Sequence, residues 1–131
     1  MKIVENCWDE IGTSDCNFGA YIFEKSTAKI YVHDGLDVGL KMGRLFHHVN
    51  DGGFAGPCVL VFHGVKKFDF TVREYEKQNE KIAWKNPILS HHEGHAKDET
   101  KTYHLGGDLH GFLAYVTAEI EAQKFELHIL G

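Results

Sequence analysis

The chain has 131 residues, of which 43% are hydrophobic and 12% aromatic, and its formal net charge at pH 7 is -5. This length and apolar content suit one folded domain spanning 1–131 and exclude a disordered chain. The acidic excess lies in residues 1–65 and 102–131, whereas residues 66–101 are nearly balanced. Because no face can be strongly basic, the attraction to phosphate backbones is missing, and we expect no binding to nucleic acid.

The N-terminal segment, MKIVENCWDEIGTSDCNFG, is interrupted by acidic residues where a signal peptide would need an apolar run. No stretch is apolar over the length that spans a bilayer, so we expect no membrane association. The cysteines Cys7, Cys16 and Cys58 form no CxxC pair, and we interpret them as reduced thiols of a cytoplasmic protein. A disulfide between Cys7 and Cys16 is the alternative that their spacing allows.

Two short strands are predicted from the segment GAYIFEKSTAKIYVHDG. Tyr21 and Phe23 share one face of the first strand, and Ile30 and Val32 share one face of the second, which is the period-two pattern of a half-buried sheet. The KST between them predicts a tight connection. The glycine-rich segment 34–57 then predicts an irregular backbone, with a short helical turn over KMGRLFHH tolerated within it.

The segment CVLVFHGVKKFDFTV predicts a central strand over 58–63, a turn at HGVKK, and a second strand that contains Phe68 and Phe70. The next stretch, REYEKQNEKIAWKNP, fits either a short amphipathic helix or a strand entered after Asn79, and Pro87 ends either. Near the C-terminus, GFLAYVTAEIEAQKFELHIL predicts a hairpin with a turn near EAQK. The expected fold is therefore mostly β, an antiparallel sandwich or a strongly curved sheet, with or without one short helix.

Half of the ten histidines fall in the segment LSHHEGHAKDETKTYHLGGDLHG. We interpret 86–111 as an exposed polar loop whose histidines are solvated, with no cofactor. The alternative is a site for zinc or another transition metal, because neutral imidazole is their common ligand. HHEGH resembles the HExxH motif but is one residue too short, so a zinc protease is not indicated. The candidate metal ligands are His91, His92, His95, Asp108 and His110.

The sequence contains none of the common catalytic signatures. A GxSxG elbow, a phosphate-binding P-loop and a GxGxxG turn are all missing from it. Cys58 follows Pro57 at the start of a predicted strand, where a buried small hydrophobe is expected rather than a nucleophile. The sequence leaves enzymatic activity open but favours a non-enzymatic binding domain.

Two runs, VLVFHGVKKFDF and AEIEAQKFELHI, resemble a pattern of small bacterial β-rich proteins that include immunity proteins of polymorphic toxin systems. In that pattern a strand of the form L-x-F-x-x-V is followed by an aromatic strand, and the chain closes with an acidic-aromatic strand. Residues 59–70 and 119–129 fit this outline. The resemblance implies a cytoplasmic protein that carries no catalytic residues and neutralises a toxin by binding it.

An acidic surface would suit this role, because many toxin domains act on nucleic acid and carry basic surfaces. Trp8 and Tyr103 are candidates either for anchoring a partner or for packing in the core. The acidic candidates for contacting a protein partner are Asp34, Asp37, Glu119, Glu121 and Glu126.

Overall fold

Almost every element of the protein is a β-strand, so the mostly-β prediction is confirmed. The computed structural model describes residues 1–47, 49–50 and 52–130. A 3₁₀ turn spans Trp8–Glu10, and one helix, α1, spans Gly39–Gly43. Among the described residues no helix has the length and apolarity to cross a bilayer. The strands are β1 (Lys2–Glu5), β2 (Asn17–Glu24), β3 (Thr27–Asp34), β4 (Leu36–Asp37), β5 (Phe54–Ala55), β6 (Cys58–Gln78), β7 (Lys81–Trp84), β8 (Ile88–Glu93), β9 (Lys101–Leu109) and β10 (Ala114–Ile129).

Strands β6 and β10 form the centre of the fold, paired antiparallel over nearly their whole length. The other edge of β6 pairs with β3, β8 and β7 in turn, and the other edge of β10 pairs with β1 and β9. β2 pairs antiparallel with β3 and, over a short parallel stretch at Asn17 and Phe18, with β9. The pairings therefore close a ring, β6–β3–β2–β9–β10, so the sheet is strongly curved and encloses the core.

Both central strands bend in the middle, where turns were predicted at HGVKK and near EAQK. Those two predictions were wrong, because β6 continues through Gly64 and β10 continues past a register shift between Glu121 and Ala122. Gly64 has φ of 62°, a conformation that glycine adopts without a steric penalty. Such irregularities bend a strand and increase its twist without ending it. The same two strands therefore build both halves of the curved sheet.

The centre of the core is an aromatic cluster around Trp8. Its ring meets those of Phe62, Tyr103 and Phe125 edge-on, with centroid separations of 5.9, 5.1 and 5.0 Å. Tyr103 is only 7% exposed, and Trp8 packs against the buried residues. Trp8 and Tyr103 therefore pack in the core, which is one of the two roles predicted for them.

The segment 73–87 contains strands rather than a helix, so the alternative of a strand entered after Asn79 is confirmed. β6 continues to Gln78, and Asn79 and Glu80 then reverse the chain into β7 with positive φ at both positions, as a tight hairpin turn requires. β8 then resumes the pairing along β6 after an interruption at Pro87. The interpretation of 86–111 as a loop was therefore wrong over the parts that form β8 and β9, which become strands by main-chain pairing with β6 and β10.

Among its described residues, the glycine-rich segment 34–57 is irregular apart from the end of β3, the short strands β4 and β5, and α1. β4 and β5 pair with each other in a separate two-stranded sheet. α1 overlaps the tolerated helical turn over KMGRLFHH only in part. The last residue of that stretch, His48, lies outside the described residues.

Candidate functional site

Neighbouring strands present one continuous surface on the side of the sheet that faces away from the core. Directly opposed residues in an antiparallel pair project to the same face, so the strand registers assign each side chain to a row. We call this surface the outer face. Its rows are Ile82 and Lys77; Trp84, Tyr75 and Leu113; Arg73, Tyr115 and Asp108; Leu89, Thr71 and Thr117; His91, Asp69, Glu119 and His104; and Glu93, Lys67, Glu121 and Thr102.

One end of the outer face is apolar and exposed, and we call it the apolar end. Trp84 lies 5.1 Å from the ring of Tyr75, and the guanidinium of Arg73 lies 5.1 Å from the centre of the Trp84 ring. Leu113 is 50% exposed and Leu89 is 62% exposed. Tryptophan, tyrosine and arginine are the residues that most often dominate the energy of protein interfaces. The members of the apolar end are Tyr75, Ile82, Trp84, Leu89, Leu113 and Tyr115.

The rest of the outer face is polar and acidic, and we call it the polar half. At its centre His91 Nδ1 donates to Asp69 Oδ1, and Lys67 Nζ lies 3.2 Å from Asp69 Oδ2 and 3.6 Å from Glu119 Oε2. Burial acts to raise the pKa of Asp69, but the hydrogen bonds from His91 and Lys67 outweigh it and lower that pKa. The members of the polar half are Lys67, Asp69, His91, Glu93, His104, Glu119 and Glu121.

Charge on the polar half is unbalanced, since four carboxylates face a single lysine. Both histidines lie beside these carboxylates. Hydrogen bonds to Asp69 and Glu93 raise the pKa of His91, and His104 Nε2 lies 4.0 Å from Glu119 Oε1. A groove of about 460 Å³ joins the polar half to the apolar end, with Asp69, Leu89 and Glu119 among its lining residues. The outer face can therefore hold an apolar group and a basic group side by side.

The two adjacent histidines among the predicted metal ligands point to opposite faces. His91 lies on the outer face, whereas His92 points inward, as successive residues of a strand must. The His92 ring stacks on Phe23 and Phe68, at centroid distances of 5.1 and 5.7 Å, and its Nε2 is 3.0 Å from Tyr21 Oη. These two histidines are held in different surroundings.

The other three predicted metal ligands have local roles. His95 donates its main-chain N–H to Ser26 Oγ at 2.7 Å, and His110 stacks on His33 at 3.8 Å. Asp108 lies on β9 opposite Tyr115. In the part of the chain that the structure describes, no three or more His, Cys, Asp or Glu side chains form a group that could hold a metal ion. The zinc alternative stays a prediction.

Of the five acidic residues predicted to contact a partner, Glu119 and Glu121 lie on the outer face and Glu126 lies in a separate cluster. Glu126 Oε1 accepts from His63 Nε2 at 2.7 Å and from His128 Nε2 at 3.1 Å, and Lys124 Nζ is 3.4 Å from its Oε2. Lys124 also donates to Glu5 Oε1 at 2.7 Å. Because these groups already occupy the carboxylate, Glu126 is suited to stabilising the fold.

The remaining two predicted partner residues lie at the opposite end of β6 from the apolar end. Asp34 accepts from Asn17 Nδ2 and lines an open cavity of about 880 Å³, which Asp15 also lines. Asp37 belongs to β4, where its main chain exchanges hydrogen bonds of 2.9 and 3.0 Å with Gly12. The five predicted acidic residues therefore occupy three separate regions, and only Glu119 and Glu121 lie together on the outer face.

The cysteines are all buried and free, as expected for reduced thiols. Burial raises the pKa of Cys7 to about 11 and the pKa of Cys58 to about 12, and it raises the pKa of Cys16 as well. A nearby carboxylate, Glu10, adds to the effect at Cys7. Since the thiolate is the reactive species, none of the three cysteines is suited to nucleophilic chemistry.

We expect the three thiols to be unreactive toward Ellman's reagent in the folded protein at mildly alkaline pH. They should all react at once when the protein is unfolded in guanidinium chloride, because unfolding removes the burial that suppresses the thiolate. Absorbance of the released thionitrobenzoate measures the number of reactive thiols in each state. A thiol that reacts rapidly in the folded protein would contradict the burial described above.

Sequence reasoning missed the apolar end. Its signal was present in REYEKQNEKIAWKNP, because a two-residue turn at Asn79 and Glu80 places Tyr75 directly opposite Trp84. Taking that segment as a hairpin would have predicted an aromatic pair with Arg73 beside it. Leu113 and Tyr115 join them only through the pairing of β6 with β10, which no local pattern specifies.

Comparison with protein-family models, with curated proteins and with solved structures found no match to this chain. Its own residues therefore provide the functional inference. The outer face is the surface on which the described residues combine exposed apolar groups, unbalanced charge and a groove.

Proposed function

We propose that this protein is a cytoplasmic, non-enzymatic binding domain whose outer face holds a basic protein partner, and that the partner is a bacterial toxin domain that it neutralises. The observation that carries this proposal is the exposure of the apolar end. Leu89, Ile82, Leu113 and Trp84 are 62, 54, 50 and 46% exposed on one side of the sheet. Contiguous exposed apolar groups of this kind mark sites of protein interaction.

The composition of the apolar end suits a binding centre. Trp84 and Tyr75 supply large rigid surfaces. Arg73 is stacked on Trp84, so it would lose little conformational entropy on contacting a partner. Residues of these types supply most of the binding energy when they are desolvated together. The surrounding polar half would form the rim that excludes water.

The charge of the polar half supports a basic partner. Its four carboxylates would attract lysine and arginine side chains, accelerate encounter, and compete with nucleic acid for a toxin's basic surface. The free thiols support a reducing compartment such as the cytoplasm. The resemblance of residues 59–70 and 119–129 to immunity proteins of toxin systems supports the specific role.

We expect Leu113→Asp to weaken partner binding by about tenfold or more, because it places an unpaired carboxylate in the desolvated centre of the interface. Partners would be selected from a display library of fragments from the genome that encodes the protein, and their affinities measured by interferometry. The matched control is Ile22→Asp on β2, where an isoleucine that is 59% exposed lies away from the outer face. This variant should bind within about twofold of the wild type.

The expected partners are basic, and their association rates should fall as salt is added. Charge reversal by Glu119→Lys should slow association further. Selected binders whose affinity is insensitive to Leu113→Asp, or equally sensitive to Ile22→Asp, would rule out the apolar end as the binding centre. Failure to select any binder against the wild type would count against the proposed function itself.

A further inference from the structure

The edge of β8 that faces away from β6 carries main-chain groups that pair with no described strand. Gly94, directly after β8, donates its N–H to Lys66 C=O at 3.0 Å. Because hydrogen-bonded pairs alternate along an antiparallel ladder, Ser90 and His92 also bond to β6. The residues of β8 that alternate with Ser90 and His92, among them His91, therefore direct their main-chain N–H and C=O groups away from β6.

This edge also exposes apolar side chains on both of its faces. Ile88 and Leu89 are each 62% exposed, and as successive strand residues they point to opposite sides of the sheet. A half-buried strand normally carries apolar residues on its covered face alone. A partner docked flat on the outer face would cover Leu89 and leave Ile88 in water. A strand added alongside β8 would contact both.

We propose that the partner inserts an extended segment that pairs with β8 as an additional strand of the sheet. This inference rests on the proposed protein-binding function and specifies how the partner is held. Main-chain hydrogen bonds to the outward groups of Leu89, His91 and Glu93 supply affinity, and neighbouring side chains supply specificity. The sequence of β8, ILSHHE, contains neither proline nor lysine, the residues with which natural proteins protect exposed edges.

The chemistry of β8 defines the segment that fits it. Apolar side chains of the added strand would lie beside Ile88 and Leu89. A basic side chain would lie beside Glu93, whose own side chain is 79% exposed. Pro87 marks the end of the available edge, because it interrupts the pairing with β6 immediately before β8. In antiparallel pairing the segment therefore has a basic residue followed, four and five positions later, by two apolar ones.

The test compares His91→Pro with His91→Ala. Both variants lose the imidazole and its contact with Asp69, but only proline removes the outward N–H and blocks the edge. The probe is the capped peptide Lys-Thr-Thr-Val-Ile-Val, titrated into isotope-labelled full-length protein and followed by NMR. We expect the wild type and His91→Ala to bind it, with slower exchange of the Leu89 amide. His91→Pro should bind about tenfold or more weakly.

A second variant keeps the test decisive if His91→Pro does not fold. Glu93→Lys keeps the strand intact and should weaken binding of the basic peptide while leaving the amides of Ser90 and His92 protected by β6. Equal affinity of His91→Pro and His91→Ala, or an unchanged Leu89 amide at saturating peptide, would overturn the inference.

Two further measurements separate this inference from its alternatives. Sedimentation showing a wild-type dimer that His91→Pro converts to a monomer would identify a second copy as the occupant of the edge and overturn the inference. Leu113→Asp tests the apolar end separately, because Leu113 lies opposite Tyr75, beyond the residues of β6 that pair with β8. If the peptide does not bind while the selected partners lose affinity on Leu113→Asp, only the proposal of an added strand is ruled out. The binding function would remain.

Discussion

Replacing Phe62 with alanine is expected to lower the free energy of unfolding by about 3–5 kcal/mol, a large share of the stability of a small domain. Phe62 has no exposed surface, and its ring lies 5.9 Å from Trp8 and 5.2 Å from both Tyr103 and Phe125. Tyr103 and Phe125 are fixed on β9 and β10, so the three neighbouring rings cannot close the space that Phe62 leaves. Denaturation in guanidinium chloride, followed by tryptophan fluorescence, measures the loss.

Phe112→Ala is the matched control, since it removes the same atoms from a side chain that is 68% exposed. We expect it to change the free energy of unfolding by less than about 0.5 kcal/mol. Similar losses for Phe62→Ala and Phe112→Ala would mean that the aromatic cluster around Trp8 is not the centre of the core.

Glu126→Gln is expected to lower the free energy of unfolding by about 2 kcal/mol at neutral pH, and the loss should vanish in acid. Hydrogen bonds from His63 and His128 lower the pKa of Glu126 from 4.5 to about 2. The folded state therefore binds this proton less tightly than the unfolded state does. The stabilisation is complete above pH 4.5, the ordinary value, and is lost as the pH falls toward 2.

Denaturation of wild type and Glu126→Gln at a series of pH values below neutrality measures this dependence. Glu121→Gln is the control, because it makes the same change on the same strand outside the cluster around Glu126. A difference between wild type and Glu126→Gln that stays constant down to acid pH would show that the carboxylate charge contributes nothing there.

Much of the strand content could be predicted from the sequence, because burial on one face leaves a period-two pattern. In β10 the alternation puts Val116, Ala118 and Ile120 on one face, and that face is buried. It failed near EAQK, where Ala122 and Phe125 are both buried although they are three residues apart. A bend in a strand breaks the period-two pattern while the core residues still point inward. In the local sequence such a break looks the same as a turn.

The outer face could be predicted only in part. Glu119 and Glu121 were both predicted to contact a partner, and they share one face because both belong to β10. Trp84 and Leu113 are far apart in sequence, and they come together only because β6 lies between their strands. The histidines of β8 were assigned to the wrong kind of structure. Their polar sequence suggested a loop, whereas pairing with β6 makes them alternate between two faces.

The pairing of β10 with β6 also has a consequence for how the protein is made in the cell. β10 leaves the ribosome after β6, β9 and β1, the three strands with which it pairs. Until β10 is available, β6 lacks its neighbour on one side. Apolar side chains such as Phe62 and Phe68 then lack the β10 residues that would help to bury them. A nascent chain in this state is prone to aggregate and has to be shielded. Folding of this domain is therefore completed only when residues 114–129 become available.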